Sequence, residues 1–293
     1  MLPRVSVIVI FYQAERFLGE ALDSVLGQSF SSWELLLVDD GSSDGSVAIA
    51  ADAVRRAPDR IRLLQHEGGA NRGMGASRNL GIRNARGEFI AFLDSDDAWM
   101  REKLTEQIEV FDREPDAALV YGRTKIWRSW EPGDAAVRSD FYYELGVEPG
   151  RRYDPPRLFN LLIRNRHQSP TTCNAIVRRS LIERIGGFED AFRGMFEDQA
   201  FFAKALLAAP AFVDGRVWAL YRQHPASCSA AIAGTPEERE ARMRFLRWVG
   251  RQLAASPHAP LSARVALGRA VWEARLGQVR DQLGRRLPAR GRP

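Results

Sequence analysis

The sequence GEFIAFLDSDDAW, residues Gly87–Trp99, carries the strongest signal in the chain for both fold and function. Its first half, Glu88–Leu93, is a short apolar run with the length and residue types of a buried β-strand. Its second half places three carboxylates, Asp94, Asp96 and Asp97, within four residues. In an open α/β sheet ligands bind at the carboxyl ends of the strands, where carboxylates suit Mg²⁺ or Mn²⁺. The stretch predicts either a metal site or an acidic turn in which the last Asp caps the next helix.

Apolar runs of strand length alternate with helical periodicity on both sides of this stretch. The predicted strands of the first half are Val5–Ile10, Trp33–Val38, Ile61–Gln65, Glu88–Leu93 and Ala117–Gly122. Strands that alternate with helices pair in parallel through right-handed crossovers. We therefore predict an α/β protein with a Rossmann-like, mostly parallel central sheet flanked by helices. The first turn, F-Y-Q-A-E, excludes a G-x-G-x-x-G dinucleotide fingerprint, and no Walker loop is present.

The second half of the chain is less regular. Residues Glu131–Pro156 lose all periodicity amid Pro, Gly and charges, which predicts a loop or crossover. We expect it to be mobile without ligand and to cover the rest of the site when ligand binds. After it, strands are predicted at Asn174–Arg178 and Val217–Tyr221, and the sequence Phe196-Glu197-Asp198 precedes a helix to Ala209. Two further helices, opened by a capping box at Thr235, form a C-terminal extension.

Composition limits the class of protein. The chain has 293 residues, 45% of them hydrophobic, and no apolar run approaches the length of about 18 residues that a membrane span needs. No signal segment precedes the first strand, so a cytoplasmic location is expected. The net charge is +5, but residues 235–293 carry thirteen Arg and five acidic residues, +8, which leaves −3 for the rest. A basic extension predicts either a phosphate-bearing partner such as an anionic membrane, or a solvated helical face.

Four motifs follow one another in a specific order. They are VSVIVIFYQAERFLGEALDSVLGQSF at 5–30, LLVDDGSSDGS at 36–46, NRGMGASRNLGIRNARGEFIAFLDSDDAW at 71–99, and GGFED at 186–190 with FEDQAFF at 196–202. Together they closely resemble inverting glycosyltransferases of family 2, which have the GT-A fold. The resemblance is dense over residues 3–122, patchy to about residue 229, and does not reach the C-terminal extension.

The resemblance implies a metal-dependent transferase. Such an enzyme moves a sugar from a nucleotide diphosphate sugar to a hydroxyl of a saccharide or lipid-linked acceptor with inversion, as in bacterial surface polysaccharide synthesis. Residues 1–122 would bind the donor, residues 123–232 would bind the acceptor and supply the base, and residues 233–293 would form the basic helical extension.

The donor-binding residues implied by the resemblance lie after the predicted strands. Asp40 would accept a hydrogen bond from the ring N–H that uracil, thymine and guanine carry and cytosine lacks. UDP, TDP or GDP sugars are therefore favoured over CMP sugars, with UDP sugars first. Phe11, Tyr12 and Glu15 stand where the family packs the base and ribose, and Arg78 matches an arginine near the phosphates. The alternatives are ordinary packing, turn formation and a solvated charge.

The metal-binding residues follow from the same resemblance. Asp94-Ser95-Asp96 matches the family's D-x-D motif, so Asp96 would bind Mn²⁺ or Mg²⁺ and Asp94 would contact the ribose or a water on the metal. His224 stands where some relatives place a phosphate or metal contact, and an ordinary histidine is the alternative. Asp97 would support this turn or cap a helix.

The catalytic residues implied are Asp198 and Glu197. Asp198 matches the family's general base and Glu197 would orient the acceptor. Asp190 is a weaker rival base, and capping of the following helix is the alternative role for Asp198. One base with no protein nucleophile fits single displacement with inversion.

Two other functions remain open at this point. A sugar nucleotidyltransferase would need a Gly- and Arg-rich loop with a Lys after the first strand, and Phe11–Glu15 has none of these residues. A non-catalytic carbohydrate-binding protein would not need the acidic cluster together with a distant Glu-Asp pair. No nucleic-acid partner is predicted. The C-terminal helices would contact a membrane surface, pack on the catalytic domain or pair in a homodimer.

Overall fold

The computed structural model of the protein describes residues 2–131 and 139–286, without the side chains of residues 228–229 and 278–286. The strands are β1 Val5–Phe11, β2 Trp33–Asp39, β3 Ile61–Gln65, β4 Phe89–Asp94, β5 Ala98–Trp99, β6 Leu119–Trp127, β7 Phe141–Tyr142, β8 Arg151–Tyr153, β9 Ile176–Arg178 and β10 Ala211–Arg222. The helices are α1 Leu18–Leu26, α2 Ser46–Arg56, α3 Met74–Asn84, α4 Lys103–Arg113, α5 Arg157–Arg164, α6 Arg179–Ile185, α7 Glu197–Ala208, α8 Cys228–Ile232, α9 Pro236–Ala255 and α10 Leu261–Arg286.

One mixed sheet runs through the molecule in the order β3-β2-β1-β4-β9-β6-β10-β5. The first four strands are parallel, with Ile8 of β1 opposite Leu36 of β2 and Phe92 of β4. Strand β9 then pairs antiparallel with both β4 and β6, and β10 runs parallel to β6. The predicted α/β fold is confirmed. Its continuous parallel part ends at β4, because β9 enters the sheet in the opposite direction, and β6 and β10 form a second parallel pair beyond it.

The segment predicted as a loop is partly extended. Strand β7 pairs antiparallel with β6, and β8 pairs antiparallel with β10. The prediction of a loop or crossover over Glu131–Pro156 was therefore wrong at these two strands, whose two and three residues are too few to show a period of their own. Its mobility stays a prediction. Residues 132–138 lie outside the described residues.

Hydrophobic side chains cover both faces of the sheet. Because side chains alternate along a strand, β1 sends Val5, Val7 and Val9 into one core and Ile8 and Ile10 into the other. A Cβ added at Gly81 of α3 would lie 2.5 Å from the Ile8 side chain. Glycine at this position therefore lets α3 approach the sheet closely. This close packing helps to position the N-terminal end of α3 relative to β1 and β2.

The C-terminal helices pack on the rest of the protein. Phe245 and Trp248 of α9 contact Phe196 and Phe192, with ring centroids 5.4 and 5.5 Å apart for the pairs Phe196–Phe245 and Phe192–Trp248. Helix α10 lies against α5 and α9. The predicted packing of this extension on the preceding residues is thus observed for α9, and α10 rests on α5. Across the described ranges no helix has the combined length and apolarity of a membrane span.

Candidate functional site

The site lies where the parallel strands end. β1, β2 and β4 run in the same direction, so the residues that follow them meet at one edge of the sheet. These residues are Tyr12–Glu15, Asp40–Gly45 and the turn Asp94–Asp97. The edge therefore brings together the three segments from which the sequence predicted donor binding.

The loops after β1 and β2 are held to each other. The backbone N–H of Ala14 donates to Ser46 Oγ at 2.8 Å, and the backbone N–H of Gly45 donates to Glu15 Oε2 at 3.0 Å. Phe11 is 2% exposed, so its ring lies in the core and is not available for the base packing that the resemblance implied. Tyr12 is 53% exposed and is the aromatic ring that this loop presents to solvent.

Asp40 anchors the glycine-rich segment that precedes α3. Its Oδ1 accepts hydrogen bonds from the backbone N–H of Arg72 at 2.7 Å and from Ser77 Oγ at 3.0 Å. Its Oδ2 accepts from the backbone N–H of Gly73 at 2.9 Å. The carboxylate is buried, and both of its oxygens already accept hydrogen bonds from groups at the start of α3. Recognition of a nucleotide base by Asp40 stays a prediction.

The three carboxylates of the turn have different surroundings. Asp94 Oδ2 accepts a hydrogen bond from Thr172 Oγ1 at 2.7 Å, a contact that sequence reasoning did not identify. The Asp96 side chain is 30% exposed, and its Oδ2 lies 3.0 Å from Nε2 of His224. Ser95, which separates Asp94 from Asp96 in the sequence, is partly exposed. The side-chain partner of Asp96 is therefore an imidazole, whereas Asp94 is held by a hydroxyl.

Asp97 is enclosed behind this turn. Its Oδ1 accepts a hydrogen bond from the backbone N–H of Arg222 at 2.9 Å. Burial, followed by the charges of Asp96 and Asp94, raises the pKa of Asp97 well above its usual value. Helix α4 begins at Lys103, so the alternative that Asp97 caps a helix was wrong.

Arg78 joins the turn to the distant Glu-Asp pair. Its guanidinium is 2% exposed and donates to Asp94 Oδ1 at 2.6 Å and to Glu197 Oε1 at 3.1 Å. Burial lowers the pKa of Arg78, but the charges of Asp94 and Glu197 outweigh this effect and hold the pKa above its usual value. Its terminal nitrogens thus bridge two carboxylates 103 residues apart in the chain. A phosphate contact stays a prediction.

The Glu-Asp pair opens α7 from an unusual backbone position. Phe196, immediately before the helix, has φ +64° and ψ +8°, the left-handed region that non-glycine residues rarely adopt. Glu197 is buried, and Asp198 is partly buried with Oδ1 accepting from the backbone N–H of Gln199 at 2.7 Å. Asp198 lies one residue inside the helix, so it is not the cap that the alternative required.

The environment of Asp198 favours its neutral form. Burial raises its pKa most, the charge of Glu197 adds to this, and Arg78 opposes both, which leaves a pKa of about 7. A carboxylate with a pKa near neutrality can take a proton from a hydroxyl and release it again at physiological pH. Arg78, through its contact with Glu197, therefore holds near the acidic turn a Glu-Asp pair in which one carboxyl has a pKa near neutrality.

Arg222 is a residue of this region that sequence reasoning missed. Its Nε donates to the backbone oxygen of Asp96 at 2.7 Å, and its guanidinium forms an ion pair with Glu20 of α1. Three aromatic rings surround it at 4.3–5.0 Å: Phe17, Trp127 and Trp130. Its position two residues before His224 in the sequence Y-R-Q-H was the available signal. Arg222 therefore holds the backbone of the acidic turn through the carbonyl of Asp96.

The turn offers few protein ligands for a divalent cation. Within residues 2–131 and 139–286 there is no cluster of three or more His, Cys, Asp and Glu side chains that could hold a metal. Three metal ligands were predicted: Asp94, Asp96 and His224. Both oxygens of Asp94 accept hydrogen bonds, from Arg78 and Thr172, which leaves Asp96 and His224 as the candidate ligands. A carboxylate with an imidazole still fits Mn²⁺, and Mg²⁺ too commonly takes one or two protein ligands with substrate phosphates and water.

Comparison with known proteins identifies the family of the chain. The model of the family "Glycosyl transferase family 2" matches residues 6–186. An uncharacterized glycosyltransferase of Rickettsia typhi is 27% identical over 82% of this chain and 70% of its own length. A Bacillus subtilis glycosyltransferase named for teichuronic acid biosynthesis, TuaG, is 39% identical over 36% of this chain and 41% of its own length. The chain thus spans less than half of the second relative.

Two solved structures share the fold. Staphylococcus aureus TarS 1–349 in complex with UDP-GlcNAc gives a TM-score of 0.72 at 21% identity, covering 94% of this chain and 73% of that one. The mannosyltransferase PcManGT of Pyrobaculum calidifontis, with GDP-Man and Mn²⁺, gives 0.60 at 20% identity, covering 99% and 78%. At such identities the likeness shows the fold alone.

Proposed function

Because the chain belongs to glycosyl transferase family 2, we propose that it transfers a sugar from a nucleotide diphosphate sugar, with a UDP sugar favoured, to a hydroxyl of a saccharide or lipid-linked acceptor with inversion. The observation that carries the proposal is the double contact of Arg78 with Asp94 and Glu197. It unites the acidic turn and the Glu-Asp pair in one site. The names of TarS with UDP-GlcNAc and of TuaG support the classes of donor and acceptor.

In the proposed reaction Asp198 accepts the proton of the attacking hydroxyl. Its pKa of about 7 gives it a large enough ionised fraction at neutral pH and enough basicity to act. Glu197, held by Arg78, orients the loop and the acceptor. One attacking-side base and no protein nucleophile give a single displacement, in which the anomeric carbon is inverted.

Asp96 and His224 are the proposed holders of a divalent cation, Mn²⁺ or Mg²⁺. Bound there, the cation would neutralise the charge of the departing nucleotide diphosphate. Arg222 and the buried Asp97 keep the Asp96 backbone in place for this purpose. Asp40, Tyr12 and Glu15 are the proposed contacts to the nucleoside, and the division into donor half, acceptor half and helical extension is part of the same proposal.

The proposal is tested by adding UDP, TDP, GDP and CMP sugars to the purified protein with and without Mn²⁺. We expect UDP and UDP sugars to raise the melting temperature of the protein only when metal is present. We also expect the protein to release UDP slowly from UDP sugars by hydrolysis. The proposal would be contradicted if none of the nucleotide sugars raised the melting temperature, or if the protein converted a nucleoside triphosphate and a sugar phosphate. The second result would identify a nucleotidyltransferase.

A further inference from the structure

Helix α10 is apolar on two opposite sides. Its inner side packs through Ala263, Ala266 and Ala270, which are buried. Its outer side exposes four large apolar side chains: Leu261 at 76%, Val265 at 48%, Trp272 at 63% and Leu276 at 36%. At about 100° per residue these four fall within about 60° of one another. We call them the outer stripe of α10; no other element of the described chain covers them.

Basic residues border the outer stripe on both sides. Arg264 and Arg275 fall on one side of it and Arg269 on the other, and all three are exposed. The acidic residue of this part of the helix, Glu273, forms an ion pair with Arg166 at 3.0 Å. The surface is therefore an apolar line about 22 Å long with positive borders and no uncompensated acidic group.

We propose that the outer stripe of α10 docks on the surface of a bilayer that contains anionic phospholipids. An amphipathic helix with arginines and a tryptophan lies in the plane of the interface, where its apolar side chains enter between headgroups and its guanidinium groups meet lipid phosphates. Trp272 has the amphipathic ring favoured at that depth. The inference does not depend on the proposed catalytic function.

A second copy of the chain fits this surface less well. A two-fold interface would bring the arginine borders of two copies together, because the same patch meets itself. The four exposed side chains offer roughly 400 Å² per copy, about half of the 800 Å² that a stable interface buries on each partner. Charge and area thus both favour the lipid surface.

The test is flotation of the purified full chain with vesicles. We expect no binding to phosphatidylcholine alone, and binding to phosphatidylcholine mixed with phosphatidylglycerol that falls as salt is added. Each of the three arginines changed to Gln should weaken partitioning about fivefold. Trp272→Glu should weaken it at least about tenfold, because it places a charge where an apolar ring enters the interface.

A matched variant separates the surface from general charge effects. Gln252→Glu introduces the same residue at an exposed position of α9 and should retain binding. Both substitutions are at exposed positions, so circular dichroism and melting temperature should match the parent protein. The proposal is overturned if the parent protein does not bind anionic vesicles at low salt, or if both variants lose binding equally. A dimer in sedimentation that Trp272→Glu dissociates, without vesicle binding, would assign the stripe to a second copy.

Discussion

Replacing Asp198 by Asn should make the protein more stable above pH 7 while lowering its transferase activity. The physical reason is the enclosure of the carboxyl beside Glu197, which raises its pKa from 3.8 to about 7. In the folded protein the group keeps its proton to higher pH than in the unfolded chain. Ionisation therefore costs stability progressively between about pH 4 and pH 7, and the full cost is present above that range.

The size of the effect follows from the shift. At about 1.4 kcal/mol for each pKa unit, a displacement of about three units corresponds to about 4 kcal/mol. Asp198 and Glu197 titrate as a pair, so part of this cost is shared and the expected gain for Asp198→Asn is about 2–4 kcal/mol at pH 8. At pH 4 the two proteins should differ by less than about 1 kcal/mol, because the carboxyl is protonated in the folded protein and only about half ionised in the unfolded chain.

The assay is urea denaturation at pH 4, 6 and 8, with donor binding and turnover measured on the same variant. Turnover should fall by about 10²–10⁴-fold, the usual contribution of a general base, with donor binding nearly intact. Asp190→Asn is the control, since this side chain is exposed and is the rival base. A stability difference independent of pH would refute the electrostatic reasoning. Loss of turnover in Asp190→Asn alone would refute the assignment of the base.

Three further predictions test the site and the packing. Asp96→Asn should abolish Mn²⁺-dependent UDP binding in titration calorimetry, because a neutral amide is a poor metal ligand; unchanged affinity would exclude the assignment. Arg222→Met should cost about 2–3 kcal/mol in urea denaturation and weaken the same binding, since it removes the donor to the Asp96 carbonyl. Stability loss without any change in binding would make Arg222 purely structural. Gly81→Ala should destabilise by about 1–2 kcal/mol through its clash with the Ile8 side chain, whereas Gly19→Ala, with open space around it, should stabilise by up to about 1 kcal/mol. Equal changes in stability for the two variants would show that the helix propensity of alanine outweighs the clash between α3 and the sheet.

The order of strands and helices follows from the sequence alone because it depends on local periodicity. Residues Val7–Ile10 and Leu35–Val38 are apolar without interruption, which is typical of strands buried on both faces. Parallel pairing and the position of the acidic turn at the carboxyl edge then follow from chain connectivity. The strands β7 and β8 could not be predicted in this way, since their pairing with β6 and β10 provides the stability that their own residues lack.

Within the site, the sequence determined which chemical groups are present, and the tertiary structure decided what each one contacts. Nothing local distinguishes Asp94, bonded to Arg78 and Thr172, from Asp96, which stands beside His224. The partners Asp96 and His224 are 128 residues apart, a separation at which only the packing of distant elements sets their distance. The pKa of Asp198 is likewise a property of enclosure, because removing water from around a carboxyl requires neighbours that the sequence places far along the chain.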